Sequence, residues 1–185
     1  MTGDRLHWHV ITGPPCSGKS TTLEELARLG FRVRREIARG FIDEELRNGR
    51  TLARLRSNIR SFQLEILRRA LASEAGQPPG EMVFFDRAIP DSLSYFRLHG
   101  LPEAEYHRLI RVAPRYGKVF ILEPIPDYLP DYARAETVPE RDALLHSLRE
   151  IYSEVGAQVY RVPFLDFEQR VAFILDRLEA SHRCR

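Results

Sequence analysis

Gly13-Pro14-Pro15-Cys16-Ser17-Gly18-Lys19-Ser20-Thr21 follows closely on the apolar run Trp8 to Ile11, and this stretch constrains the chain more than any other. It holds one of only two lysines; the other is Lys118, and every other strong base is arginine. Gly13 to Ser20 fits the pattern G-x-x-x-x-G-K-[ST]. The pattern carries chemistry when a strand precedes it and a helix follows. Residues His7 to Thr12 read as that strand. Lys19 to Leu29 reads as the helix, with Leu23, Leu26 and Ala27 on one face and Gly30 as its stop. Glycines let a backbone wrap closely around phosphate oxygens. Unpaired N–H groups at a helix start, with the helix dipole behind them, favour an anion. Pro14 and Pro15 have no N–H, so the donors are expected from Cys16 onward. Gly13, Cys16, Ser17, Gly18, Lys19, Ser20 and Thr21 are therefore the candidate nucleotide-binding residues. Lys19 is expected to reach the β- and γ-phosphates from an exposed position, Ser20 to ligate Mg²⁺, and Thr21 to hold the α-phosphate.

Along the rest of the chain, apolar runs alternate with helical patterns. Phe31 to Glu36 reads as a short second strand. Ile37 to Asn48 and Leu52 to Ala75 read as helices broken at Asn48-Gly49, and Gly76 to Gly80 as a loop. Met82 to Phe85 is a third strand. Asp91 to Leu98 and Glu103 to Val112 are helical, and Lys118 to Leu122 is a fourth strand. Pro124 to Pro139 is irregular. Arg141 to Val155 is helical, Gln158 to Val162 a fifth strand, and Asp166 to Ala180 a closing helix. This order predicts an α/β fold of the P-loop NTPase type: a five-stranded parallel sheet with helices on both faces and a lid segment. A single domain over 1–185 is expected, with the lid at about 125–141.

Three further places carry chemistry. Met82-Val83-Phe84-Phe85-Asp86-Arg87 runs an apolar strand into an acid. An Asp there can hold Mg²⁺ through water, and Arg87 can clamp an anionic or hydroxyl-rich substrate. Asp91, after Pro90, is the better placed of the two acids to cap the following helix. Glu36 ends the second strand at the sheet edge where ligands bind. It is a candidate base for a substrate hydroxyl, or else a salt-bridge partner of Arg39 or Arg35. The third place is the polar segment Asp127 to Arg141, which reads either as a mobile lid bringing Arg134 to the phosphates or as a solvated loop.

The chain resembles the P-loop nucleoside and nucleotide kinases, and within them the small ATP-binding domains related to ribosylnicotinamide kinase that carry the AAA label. The resemblance runs from Val10 to about Leu175. It rests on the P-loop, Glu36-Ile37-Ala38-Arg39, Phe62-Gln63, Asp86-Arg87-Ala88-Ile89-Pro90-Asp91 and Tyr132-Ala133-Arg134-Ala135-Glu136. Deoxynucleoside kinases share this motif order, although here the acid–Arg pair lacks their following serine and the lid has fewer arginines. The resemblance implies Lys19, Glu36, Asp86 and Arg134 as catalytic residues, with Glu36 as general base. It implies Arg39, Gln63, Arg87 and Asp91 on the substrate, Ser20 and Asp86 on the metal, and ATP and Mg²⁺ as cofactors. Only the resemblance promotes Gln63, which by itself reads as a surface helix residue. No hexameric motor is expected.

Composition bounds the partners. The chain has 185 residues, 43% hydrophobic and 29% charged, which suits a globular domain with a core. No apolar run approaches the roughly 20 residues a membrane span needs, and no leader is evident, so a cytoplasmic location with no membrane partner is expected. Cys16 and Cys184 show neither disulfide-framework nor metal spacing. A net charge of +2 does not argue for nucleic acid. The expected activity is ATP- and Mg²⁺-dependent phosphoryl transfer to a small-molecule acceptor, a nucleoside or nucleotide, by a monomer or dimer. GTP is disfavoured because no N-K-x-D occurs. Two alternatives stand: a regulatory NTPase switch, and a 5′-end polynucleotide kinase. The latter would use a basic groove of Arg54, Arg56, Arg60, Arg68 and Arg69, which otherwise read as the solvated face of a helix.

Overall fold

The computed structural model describes residues 7–78, 80–109, 116–125 and 136–180. Five strands, β1 (Trp8–Thr12), β2 (Arg32–Arg34), β3 (Val83–Asp86), β4 (Lys118–Leu122) and β5 (Gln158–Val162), form one parallel sheet in the order β2-β3-β1-β4-β5. The helices are α1 (Lys19–Arg28), α2 (Ile37–Arg47), α3 (Leu52–Arg56), α4 (Ile59–Ala75), α5 (Ile89–Leu98), α6 (Glu103–Leu109), α7 (Val138–Glu154) and α8 (Phe167–Ala180).

Period-two alternation in the inner strands splits their side chains between two cores. Trp8 and Val10, Val83 and Phe85, and Val119 and Ile121 point to one face, where Leu145, Leu148 and Tyr152 of α7 cover them. Ile11, Phe84, Phe120 and Leu122 point to the other, under Leu23 and Leu26 of α1 and Val171, Ile174 and Leu178 of α8. Both faces are dry, which is why these strands read as continuous apolar runs. Phe84 is fully buried, and deleting such a ring costs about 3–5 kcal/mol. A third cluster joins Leu67 and Ala70 of α4, Ile89, Leu93 and Phe96 of α5, Tyr106 of α6 and Ile151 of α7.

The expected strands and helices are present; besides one-residue shifts at several ends, four differences stand out. The single helix Leu52 to Ala75 is two, because Asn58 accepts at Oδ1 from Ser61 N at 3.0 Å and caps a new start at Ile59. Strand β2 is shorter than read. Helix α5 begins at Ile89, where the backbone N–H of Ala88 donates to Asp91 Oδ2 at 3.1 Å. Helix α7 begins at Val138 rather than Arg141, because Thr137 N–H donates to Glu140 Oε2 at 2.6 Å. Most of the lid segment, Arg134 included, lies outside the described residues.

Candidate functional site

Parallel strands bring their carboxyl ends to one edge, and the register shows which residues meet there. Ile11 of β1 is level with Asp86 of β3, and Arg34 of β2 is level with Phe85. Gly13, Asp86, Arg87 and Glu36 therefore leave the sheet side by side. The backbone then turns sharply. Gly13 and Gly18 have φ of +143° and +80°. A Cβ at Gly13 would lie 2.5 Å from the Leu122 carbonyl oxygen. Among the described residues, two other than glycine also take positive φ, Cys16 at +54° and Arg87 at +64°. Such strain persists where surrounding contacts over-determine it; Arg87 N–H, for instance, donates to the Ile11 carbonyl at 3.1 Å.

Most carbonyls of the loop Gly13–Gly18 are engaged. Cys16 O accepts from Ile125 N at 3.2 Å, Ser17 O from Arg170 Nη1 at 3.2 Å, and Gly18 O from Thr22 N at 3.1 Å and Thr22 Oγ1 at 2.9 Å. Gly13 O and Pro14 O accept from Lys19 Nζ at 3.1 and 2.8 Å. Lys19 is thus not exposed, as expected above, but 2% exposed, with Ser17 Oγ as a third partner at 3.3 Å. A buried ammonium is costly unless acceptors surround it, and here the loop's own carbonyls supply them. Ser20 and Thr21 open α1 with their side chains toward solvent, and Cys16 is half-buried and outside any disulfide.

Beside this loop lies a cavity of about 240 Å³. Its wall runs from Pro15 past Asp86 and Arg87 to Glu36, Arg39 and Gln63. Glu36 is the N-cap residue of α2, yet its side chain makes no cap bond. Its Oε1 accepts from Arg87 Nε at 3.1 Å instead, a long-range ion pair. Arg87 Nη1 also meets Asp91 Oδ1 at 3.3 Å, and its guanidinium lies 5.5 Å from the Tyr95 ring centroid. Asp91 lines the cavity, but its carboxylate also takes Thr12 Oγ1, Tyr152 OH at 2.5 Å and the Ala88 N–H. Its oxygens are committed to fixing Arg87 and the start of α5. Gln63 is 4% exposed and faces the cavity from α4, not the surface.

Asp86 is buried, and its Oδ1 has no hydrogen-bond partner among the described residues. Burial, reinforced by the nearby Glu36 charge and opposed by Lys19 and Arg87, pushes its carboxyl up to about 6. An orphaned carboxylate oxygen at the mouth of a phosphate-type loop fits a water-coordinated divalent cation. Among the described residues no group of three or more His, Cys, Asp and Glu side chains forms a cage, so nucleotide oxygens and water would have to complete any such shell.

Sequence reading missed Tyr95, His99 and Arg170. Tyr95 and His99 sit on the helix after β3 and line the cavity; burial lowers the His99 pKa, with Glu136 and Glu140 acting against it. Nothing in the local pattern distinguishes them from packing residues. Part of the arginine cluster is ion-paired. Arg60 pairs with Glu105, and Arg69 with Glu44 and Glu65, while Arg56 lines the cavity. Arg161 Nε donates to Glu123 Oε1 at 3.1 Å. Among the described residues no helix is long and apolar enough to cross a membrane.

Sheet order and loop geometry define a P-loop α/β fold with a cavity beside the loop. A family model described as AAA domain matches residues 8–170, and the chain belongs to that family. No curated protein sequence matches it. Among solved structures it is similar to deoxyadenosine kinase from M. mycoides with bound dATP, at 14% identity and TM-score 0.65, covering 93% of this chain and 98% of that one. Thymidylate kinase from Candida albicans aligns at 14% identity and TM-score 0.69, covering 95% and 92%. NadR protein in complex with NR aligns at 17% identity and TM-score 0.64, covering 91% and 49%.

Proposed function

We propose that this chain transfers the γ-phosphoryl group of ATP to a hydroxyl or phosphate oxygen of a small acceptor, a nucleoside or nucleotide. The observation that carries the reading is the cavity sharing its wall with the P-loop, where Glu36, Asp86 and Arg87 converge. Solved kinases of similar fold, one of them with bound dATP, support it. Backbone N–H groups from Cys16 onward and Lys19 Nζ would hold the polyphosphate. Ser20 and Asp86 would hold Mg²⁺, which supplies charge neutralisation at the phosphates. Glu36 takes the proton of the acceptor hydroxyl as the acceptor oxygen bonds to the γ-phosphorus. The bond from that phosphorus to the bridging oxygen breaks, and ADP leaves with the electron pair. Arg87, fixed by Glu36 and Asp91, clamps the acceptor or its phosphate, and Gln63 reads a polar edge of it. Arg39 lies on the same wall. Arg134 would come from the lid.

The test is ADP release over a panel of nucleosides, nucleotides and sugars. One or more acceptors should raise ADP release well above basal hydrolysis. Basal ATP hydrolysis that no acceptor accelerates would favour the regulatory switch instead.

Replacing Lys19 by alanine should lower affinity for ATP·Mg²⁺ by far more than tenfold, about 1.4 kcal/mol. It should also cost stability, because Gly13 O, Pro14 O and Ser17 Oγ lose a shared donor. Calorimetric titration and a melting curve read the two effects separately. Affinity retained within tenfold would show that the loop does not bind nucleotide through Lys19.

A further inference from the structure

Arg170, in the first turn of α8, is only 5% exposed, yet no carboxylate among the described residues lies within ion-pair distance. Its guanidinium spans two backbone carbonyls: Nη1 donates to Ser17 O at 3.2 Å and Nη2 to Leu165 O at 3.0 Å. Nε is buried with no hydrogen-bond partner among the described residues. A Cβ built at Gly18 would overlap the same guanidinium, so only glycine lets the arginine close on the loop at that point. Burying an arginine without a counter-ion is unfavourable, and burial correspondingly lowers its pKa. A structural bond to one carbonyl could come from a neutral side chain, so the charge itself requires a reason.

The reason lies in the peptide group that Arg170 touches. Ser17 C=O and Gly18 N–H belong to one peptide unit. A cation donating to the oxygen polarises the unit and makes its N–H a stronger donor, as in cooperative hydrogen-bond chains. The unit lies in the loop whose N–H groups are the anion donors. We propose that Arg170 is a positioning residue for the polyphosphate site: it fixes and polarises the Ser17–Gly18 peptide from outside the loop, and its unneutralised charge is offset when an anion occupies the inside. This rests on the reading of the loop as a nucleotide site.

The experiment uses the full chain with inorganic tripolyphosphate and with ATP, each with Mg²⁺, by calorimetric titration of wild type, R170M and R170K. Wild type should bind both. R170M should bind both about 10–100-fold more weakly, the range expected for one charge-assisted hydrogen bond. R170K keeps the charge but lacks the fork that reaches two carbonyls, and should fall between. In the ligand-free protein the Gly18 amide proton resonance should move upfield in R170M, a signature that lost packing elsewhere would not produce. R170M binding tripolyphosphate within twofold of wild type, with an unmoved Gly18 resonance, overturns the proposal. If R170M does not fold, R170K decides, and wild-type affinity in that variant overturns it. If wild type itself binds neither ligand, the nucleotide reading fails and the proposal fails with it.

Discussion

Asp86→Asn is expected to melt higher than wild type at pH 8 without nucleotide, and to have lost phosphoryl transfer. The wild-type carboxyl is buried, and burial with the Glu36 charge beside it raises its pKa to about 6. An unfolded Asp titrates near 3.9. Between the two values the folded chain binds the extra proton, so this group's contribution to stability falls as pH rises through that window. Below pH 4 both states carry the neutral acid and the penalty is absent. Above pH 6 it is fully present, on the order of 3 kcal/mol. Asparagine keeps the shape without the charge, so the variant should gain roughly 5–10 °C at pH 8 and little at pH 4. Its Mg²⁺ requirement should rise and its turnover fall by orders of magnitude, because an amide is a poor partner for the cation's water shell. Melting curves of both proteins from pH 4 to pH 8 test the first half. A difference that does not grow with pH would mean that Asp86 is not the strained acid. An unchanged Mg²⁺ titration would remove it from the metal shell.

Glu36→Gln should lower transfer to the true acceptor by roughly 10²–10⁴, the range for removing a general base. ATP affinity should stay nearly constant, since in the proposed mechanism Glu36 serves the acceptor hydroxyl and not the polyphosphate. The loss should appear mainly in kcat, because the proton moves in the transition state. Glu36 pairs with Arg87, at 3.1 Å and largely buried. Glutamine can still accept that hydrogen bond, so the melting temperature should change little. Removing the Glu36 charge should also lower the Asp86 pKa, since that charge helps to raise it. The Asp86 stability penalty should then be smaller in this variant and reach its full value at lower pH, while its onset near pH 4 stays put. Single-turnover transfer and a melting curve separate the roles. A variant that melts several degrees lower yet transfers at the wild-type rate would make Glu36 a structural partner of Arg87 and end its assignment as base.

Local patterns carried the loop, the parallel sheet and most element boundaries. An apolar run running into G-x-x-x-x-G-K-S allows few other structures, and doubly covered strands have no polar alternation to confuse the reading. The acid–Arg pair at the end of β3 was legible for the same reason: charge directly after a buried strand must sit at a sheet edge. Pairings were not legible, because they depend on distances between residues far apart in the chain. Glu36 is 51 residues from Arg87. Arg35 and Arg39, close by in sequence, were the natural guesses; the fold also brings it against Arg87, just after β3. Gln63 read as a surface residue because the α4 pattern does not reveal the cavity it faces. Lys19 read as exposed because carbonyls folding back over a buried ammonium are a property of loop geometry, not of residue type. Arg170 lies 153 residues from the Ser17 carbonyl it holds. The sequence by itself thus determined that the chain is a P-loop α/β domain and which residues emerge at its carboxyl edge. Only the tertiary structure decided which of them touch, because burial raises the energy of each polar group until it finds a partner, and the partner within reach is set by the sheet and not by the chain.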